Sequence, residues 1–208
     1  MRIIEPYYTI LSNIDGKQMM RDIEKIGRVC YKSEDRITDD SSQKFIQGIL
    51  SRGHESVIEH EKITIKFVCD RGISHEIVRH RIASYSQEST RYCNYSMDKF
   101  GNEITFIRPF YWEKDSEQYT IWKKAMDSIE KAYINLIQTG AKPEEARSIL
   151  PNSLKTELVV TMNLREWRHF LKLRTAIAAH PQMREITIPL LEELKKKIPV
   201  IFDDINLL

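Results

Sequence analysis

Cysteine is scarce in this chain of 208 residues, which holds three, Cys30, Cys69 and Cys93, widely spaced and without a Cys-x-x-Cys pair. An odd, scattered set of this kind builds neither a disulfide framework nor a thiolate zinc site. Reduced thiols instead fit a cytoplasmic setting. The six histidines, His54, His60, His75, His80, His169 and His180, include no His-x-x-x-His or His-Glu-x-x-His pair, so no metal is expected. An excess of one charge is also missing. With 32 basic against 30 acidic side chains the net charge is +2, which gives no global field for nucleic acid or an anionic membrane. Any anion site must therefore be local. Nowhere do about 18 apolar residues run together, and the start Met1-Arg2-Ile3-Ile4-Glu5-Pro6 lacks the apolar core of a signal peptide. A soluble, cytoplasmic protein is the expectation. Glycine and proline, seven of each, are scattered as punctuation, with no repeat, low-complexity stretch or Gly/Ser linker. Nothing marks a boundary, so one domain over 1–208 is expected.

What is present is periodic. Residues 2–10 read as a strand, and Met20, Ile23, Ile26 and Cys30 recur at helical spacing between Lys17 and Tyr31. Ser41 is placed to cap a helix over 42–51. Ile63, Ile65, Phe67 and Cys69 alternate with Thr64 and Lys66, the period of a half-buried strand. Asp70-Arg71-Gly72 is read as a turn, followed by a short helix over 73–80. The clearest helix spans about 115–139, where Tyr119, Trp122, Met126, Ile129, Tyr133 and Leu136 recur in steps of three and four, with Gly140 placed to end it. Leu154 to Met162 alternates as a strand, a helix carrying Trp167, Phe170, Leu171 and Arg174 follows, Pro181 starts another, and a short helix is expected to close the chain. This order predicts an α+β (mixed α/β) fold, a single domain with a central, mainly antiparallel sheet flanked by helices.

The chemistry concentrates in Arg79-His80-Arg81-Ile82-Ala83-Ser84-Tyr85-Ser86-Gln87-Glu88-Ser89-Thr90-Arg91-Tyr92, which packs three arginines, a histidine, three serines and two tyrosines into fourteen residues. Guanidinium forks match phosphate oxygens, and hydroxyls and loop amides complete an anion cradle. A nucleotide phosphate suits it. On composition alone, a solvated basic loop with packed tyrosines fits equally well.

The same residues resemble a known pattern. Arg-His-Arg, seven residues, then Ser is the signature of flavin-dependent thymidylate synthases, met here from Arg79 to Ser89 and continued by Arg91 and Tyr92. Gly53-His54-Glu55-Ser56-Val57-Ile58-Glu59-His60 resembles the upstream segment of that family, and Ala146-Arg147-Ser148-Ile149-Leu150-Pro151 its central arginine segment. Asn163-Leu164-Arg165-Glu166-Trp167-Arg168-His169-Phe170-Leu171-Lys172-Leu173-Arg174, followed by His180-Pro181, resembles its C-terminal block. The matches fall in family order from residue 53 to 181.

The resemblance implies a homotetramer with active sites between subunits, bound FAD, NADPH as reductant and methylene-tetrahydrofolate as one-carbon donor to dUMP. It places Ser56, Arg79, His80, Arg81, Gln87, Asn163, Arg165 and His169 at FAD, with His54 near the flavin. Glu76, Arg79, Gln87, Glu88, Ser89, Arg91, Arg147 and Arg174 would surround dUMP. The chain departs from some relatives at Glu76, Gln87 and His169, where they carry glutamine, glutamate and asparagine. Arg91 and Arg147 suit the phosphate; the competing assignment for both is surface pairing with acids such as Glu144. Arg174 at the pyrimidine would stabilise charge developing on the ring and is the catalytic choice. Ser89 has no local base, which favours a hydrogen bond to the nucleotide over a nucleophile. No cysteine stands in the Pro-Cys setting that the unrelated folate-dependent synthases require.

Two other functions compete. A nucleic-acid module would use Arg79, Arg81 and Arg91 with Tyr85, Tyr92 and Tyr95 as stacking platforms, which the near-neutral charge disfavours. A structural helical oligomer would make the long helix its purpose.

Overall fold

A computed structural model describes residues 1–207. Its elements in chain order are β1 (Arg2–Ile4), β2 (Tyr7–Ile10), α1 (Gly16–Val29), α2 (Ser41–Ser51), β3 (Lys62–Asp70), α3 (Arg71–Ile77), β4 (Ser84–Gln87), β5 (Thr105–Ile107), α4 (Glu117–Gln138), α5 (Pro143–Ala146), β6 (Lys155–Asn163), α6 (Leu164–Arg174) and α7 (Pro181–Lys197). The α+β class is as expected. A four-stranded, mainly antiparallel sheet of order β2-β3-β6-β4 accompanies a two-stranded parallel pair, β1 with β5. Among the described residues, no helix is long and apolar enough to cross a membrane.

The chain divides into two compact units. The first takes Met1–Tyr7, Phe67–Arg79 and Ser86–Val159. Its core is the apolar face of α4, where Tyr119, Trp122, Met126 and Tyr133 pack with Ile104, Phe106, Ala146 and Leu154. Glu130 breaks that face and is buried, yet its charge is answered by the Met1 amine at 3.0 Å and the Ile104 amide at 2.7 Å. Buried charge persists only when it is paired in this way. Ser116 caps α4 by accepting from the Tyr119 amide at 3.2 Å, and Gly140 ends it in the left-handed region at φ 99°.

The second unit takes Tyr8–Lys66, His80–Tyr85 and the chain from Val160 on. Asp15 caps α1, and Ile23 of α1 and Ile46 of α2 are fully buried. The two helices approach so closely at Gly27 that an added Cβ would lie 2.6 Å from the Phe45 ring. Asn163 caps α6, accepting from the Glu166 amide at 2.8 Å, and Trp167, Phe170 and Leu171 are completely buried. Arg168 shares that apolar stripe. Its guanidinium is held by Asp204 at 2.6 and 2.8 Å, by Glu55 at 3.2 Å and by the Ile201 carbonyl.

Several expected boundaries move. The strand over 2–10 is two strands divided at Glu5-Pro6, since proline lacks the amide a continuous ladder needs. Ser41 is the first helical residue of α2 and not its cap; its hydroxyl donates to Glu24 at 2.7 Å. Asp70-Arg71-Gly72 is no separate turn, because the Asp70 carboxylate caps α3 directly through the Ile73 amide at 2.8 Å. The expected short closing helix is absent among the described residues, where turns follow α7. The Asp203 carboxylate accepts from the Val200 amide there at 2.9 Å, a side-chain substitute for helical pairing.

Candidate active site

The first unit collects most of the residues that the resemblance places at dUMP: Glu76 on α3, Arg79 just past it, Gln87 at the end of β4, then Glu88, Ser89, Arg91 and Arg147. Gln87 is anchored, its amide donating to Ser74 Oγ at 2.9 Å and Thr156 Oγ1 at 3.2 Å. Glu88 is held harder still. Its carboxylate accepts from the Tyr95 hydroxyl at 3.0 Å, from Lys155 Nζ at 2.8 Å and from the Glu157 amide at 3.2 Å, beside a cavity of about 360 Å³. Burial and the Glu88 charge push the Tyr95 phenol well above its ordinary range, so it acts as a donor at any accessible pH. Ser89 Oγ accepts the Arg91 amide at 3.2 Å, which shapes the loop and supplies no base to activate the hydroxyl.

The arginines differ from these anchored acceptors. Arg79, Arg91 and Arg147 are exposed. Arg91 pairs through Nε with Glu144 at 3.0 Å and lies 5.4 Å over the Tyr92 ring. The acid anticipated as an arginine partner, Glu144, is thus taken by Arg91 across 53 positions. Both members of that pair are largely solvated, so a phosphate can displace the carboxylate at little cost.

The second unit holds most of the residues assigned to FAD. His54 and Ser56 are exposed at the short turn of helix over Glu55–His60, and Arg81 is exposed beyond the motif histidine. Asn163, Arg165 and His169 line a cleft of about 500 Å³ together with Glu59, Glu166 and Lys172. The Asn163 cap uses the amide oxygen, which leaves its NH2 as a donor. Arg165 Nη1 pairs with Glu59 at 2.5 Å.

His80 and Arg174 meet inside the same unit. His80 is only 5% exposed, and its ring stands edge-on to Phe170 with centroids 4.9 Å apart. Arg174 Nε donates to His80 Nε2 at 3.0 Å, while Nδ1 lies 3.3 Å from Glu166 Oε1. A guanidinium only donates, so Nε2 carries the lone pair and Nδ1 the proton. Burial, then the Arg174 and His169 charges, lower the imidazole to a pKa of about 4 and keep it neutral. Burial likewise raises the Glu166 carboxyl above its ordinary value.

His80, Glu166 and His169 bring ligand atoms within 4.8 Å of one another, a grouping the histidine spacing did not announce. The Nδ1 proton aimed at Glu166 accounts for two of the three without a cation. Glu166, three residues before His169 on one helix face, was legible as Glu-x-x-His. Arg168 was legible too, since Leu164, Trp167, Arg168 and Leu171 follow the 3-4 spacing of a core stripe. Lys155, by contrast, bears no local sign of its partner Glu88. Cys69 is buried, and burial pushes its thiol far up, which removes it as a nucleophile.

Residues 12–200 match the family described as thymidylate synthase complementing protein. The flavin-dependent thymidylate synthase of Pyrococcus furiosus is 42% identical over 172 residues, covering 82% of this chain and 70% of that protein. That of Geobacter sulfurreducens is 35% identical over 184 residues, covering 85% and 78%. Among solved structures, the UMP/dUMP methylase PolB from Streptomyces cacaoi bound with 5-Br dUMP shares the fold, with a TM-score of 0.80 at 22% identity over 98% of this chain and 96% of that one. With the Arg79-to-Ser89 signature inside a match of this extent, the chain belongs to the flavin-dependent thymidylate synthase family.

Proposed function

We propose that this protein, one functional domain over 1–208, methylates dUMP reductively to dTMP. FAD would be the hydride carrier, methylene-tetrahydrofolate the one-carbon donor and NADPH the reductant, in a cytoplasmic homotetramer whose sites lie between subunits. Family membership over residues 12–200 is the observation that carries the reading. The residues present fit a flavin nucleotide, because the Asn163 amide, the Arg165 guanidinium, the His169 ring and the Lys172 ammonium line one cleft and offer donors to phosphate and ring acceptors. When bound, FAD supplies the redox chemistry, and the protein's own residues bind, orient and polarise.

Arg91 and Arg147 hold the nucleotide phosphate, Arg91 exchanging Glu144 for it. Ser89 hydrogen-bonds the nucleotide and forms no covalent bond to it. Arg174 faces the pyrimidine: as carbon 5 attacks the one-carbon unit, negative charge spreads to the ring oxygens and nitrogen 3, and a held cation stabilises that charge preferentially. The test is dTMP formation by FAD-loaded protein supplied with dUMP, NADPH and methylene-tetrahydrofolate. Its absence both aerobically and anaerobically would overturn the proposal.

A further inference from the structure

We propose that His80 is a positioning residue for Arg174, the last link of a Glu166–His80–Arg174 chain of hydrogen bonds that aims the guanidinium before substrate arrives. The inference rests on the reading of Arg174 as the group that stabilises charge on the pyrimidine. It starts from the imidazole, both of whose nitrogens are used. Nε2 accepts from Arg174 Nε at 3.0 Å, and Nδ1 faces Glu166 Oε1 at 3.3 Å. A ring so engaged has no hydrogen-bonding atom left over for a cofactor, whatever its shape contributes there.

The ring is also packed against an aromatic neighbour, and its backbone is tied down. Phe170, fully buried, packs against it edge-on at 72°. The Tyr85 hydroxyl donates to the His80 carbonyl at 2.5 Å, fixing the backbone. At the far end Glu166 belongs to the first turn of α6, whose cap is Asn163. Arg174 is the last residue of that same helix, and its carbonyl accepts from Thr187 Oγ1 at 2.8 Å. An arginine stem has several rotatable bonds, and a fork left to wander must be ordered in the transition state. Binding Nε to a rigid acceptor sets the plane of the guanidinium in advance and directs its Nη edge as a unit.

The experiment measures single-turnover methylation at saturating dUMP, with flavin content and dUMP affinity as controls. His80→Leu is expected to lower the rate by about tenfold to a hundredfold while flavin content and dUMP affinity hold. His80→Gln, whose Oε1 reaches the place of Nε2, recovers much of that loss, and Glu166→Leu costs more than Glu166→Gln. In an Arg174→Ala background His80→Leu adds nothing further. A full additional loss there means that His80 acts on its own and overturns the proposal. Nitrogen-15 NMR of the parent protein gives a second readout: Nδ1 protonated, Nε2 accepting, with the Nε2 shift moving in Arg174→Ala. An Nε2-protonated ring overturns the proposal. If Arg174→Ala alone keeps the parent rate while the NMR signature stands, the catalytic reading of Arg174 fails and the hydrogen-bonded chain does not.

Discussion

The two units present charge in opposite ways. In the first, Arg79, Arg91 and Arg147 are exposed, and Arg91 holds a solvated carboxylate, that of Glu144. In the second, Arg174 is half-buried and bonded to a nearly inaccessible histidine that is itself bonded to a buried acid. Exposed guanidinium groups are adaptable and gain most when a dianion arrives. Those bonded inside the protein are set by it, and their value lies in geometry that need not be assembled during reaction. Binding residues and catalytic residues should therefore respond differently to substitution.

The largest contrast is expected at Arg174. Arg174→Ala should lower single-turnover methylation at saturating dUMP by about 10²–10³ with FAD retained, and Arg174→Lys should rescue poorly because a point charge lacks the planar fork. If only dUMP affinity falls, Arg174 belongs with the binding arginines and the contrast breaks. Next is the pH dependence of the buried group. His80 has a folded pKa of about 4 against an ordinary 6.5, so between those values the unfolded chain binds a proton that the folded protein refuses. Stability should thus fall as pH drops from about 6.5 to about 4, by at most about 3 kcal/mol from this residue. Urea denaturation of parent and His80→Gln at both ends of that window isolates the slope; equal slopes would refute the assignment.

Arg91→Ala should weaken dUMP binding about tenfold, more at low salt than at high, with the saturated rate nearly kept. Glu144→Gln should tighten binding slightly, as a competitor is removed. A drop in saturated rate for Arg91→Ala would show that the exposed set also acts on chemistry. The smallest effect is expected at the cysteines: a folded triple Cys→Ala variant of Cys30, Cys69 and Cys93 should keep its activity. Loss at one position with FAD still bound would restore a thiol route.

Where burial imposes a period, the sequence shows the element, although the edges of the period stray: Cys30 and Leu136 are exposed, and the helix expected over 73–80 ends at Ile77. The steps of three and four from Tyr119 to Tyr133 gave α4, and the alternation from Ile63 to Cys69 gave β3, because burial imposes those periods directly. β4 was not legible, since Ser84-Tyr85-Ser86-Gln87 has no apolar alternation and is a strand by virtue of its neighbours. The same holds for site residues. The family resemblance named His80 and Arg174, but not that one holds the other across 94 positions, nor that Lys155 neutralises Glu88 across 67. Such pairings belong to tertiary geometry, for which a linear pattern has no term.

The turns that follow α7 gain importance from one side chain. Arg168 is gripped there by Asp204 and the Ile201 carbonyl, and it sits on α6 between Arg165 and His169. A segment that would pass for a dispensable tail is in effect a wedge under the helix that carries much of the proposed flavin cleft. Shortening the chain at about residue 199 would strip Arg168 of most of its partners and leave its buried charge to Glu55 alone. Damage at that end would then be read as lost yellow colour before it was read as lost turnover, which makes the last turns an unexpected handle on cofactor retention.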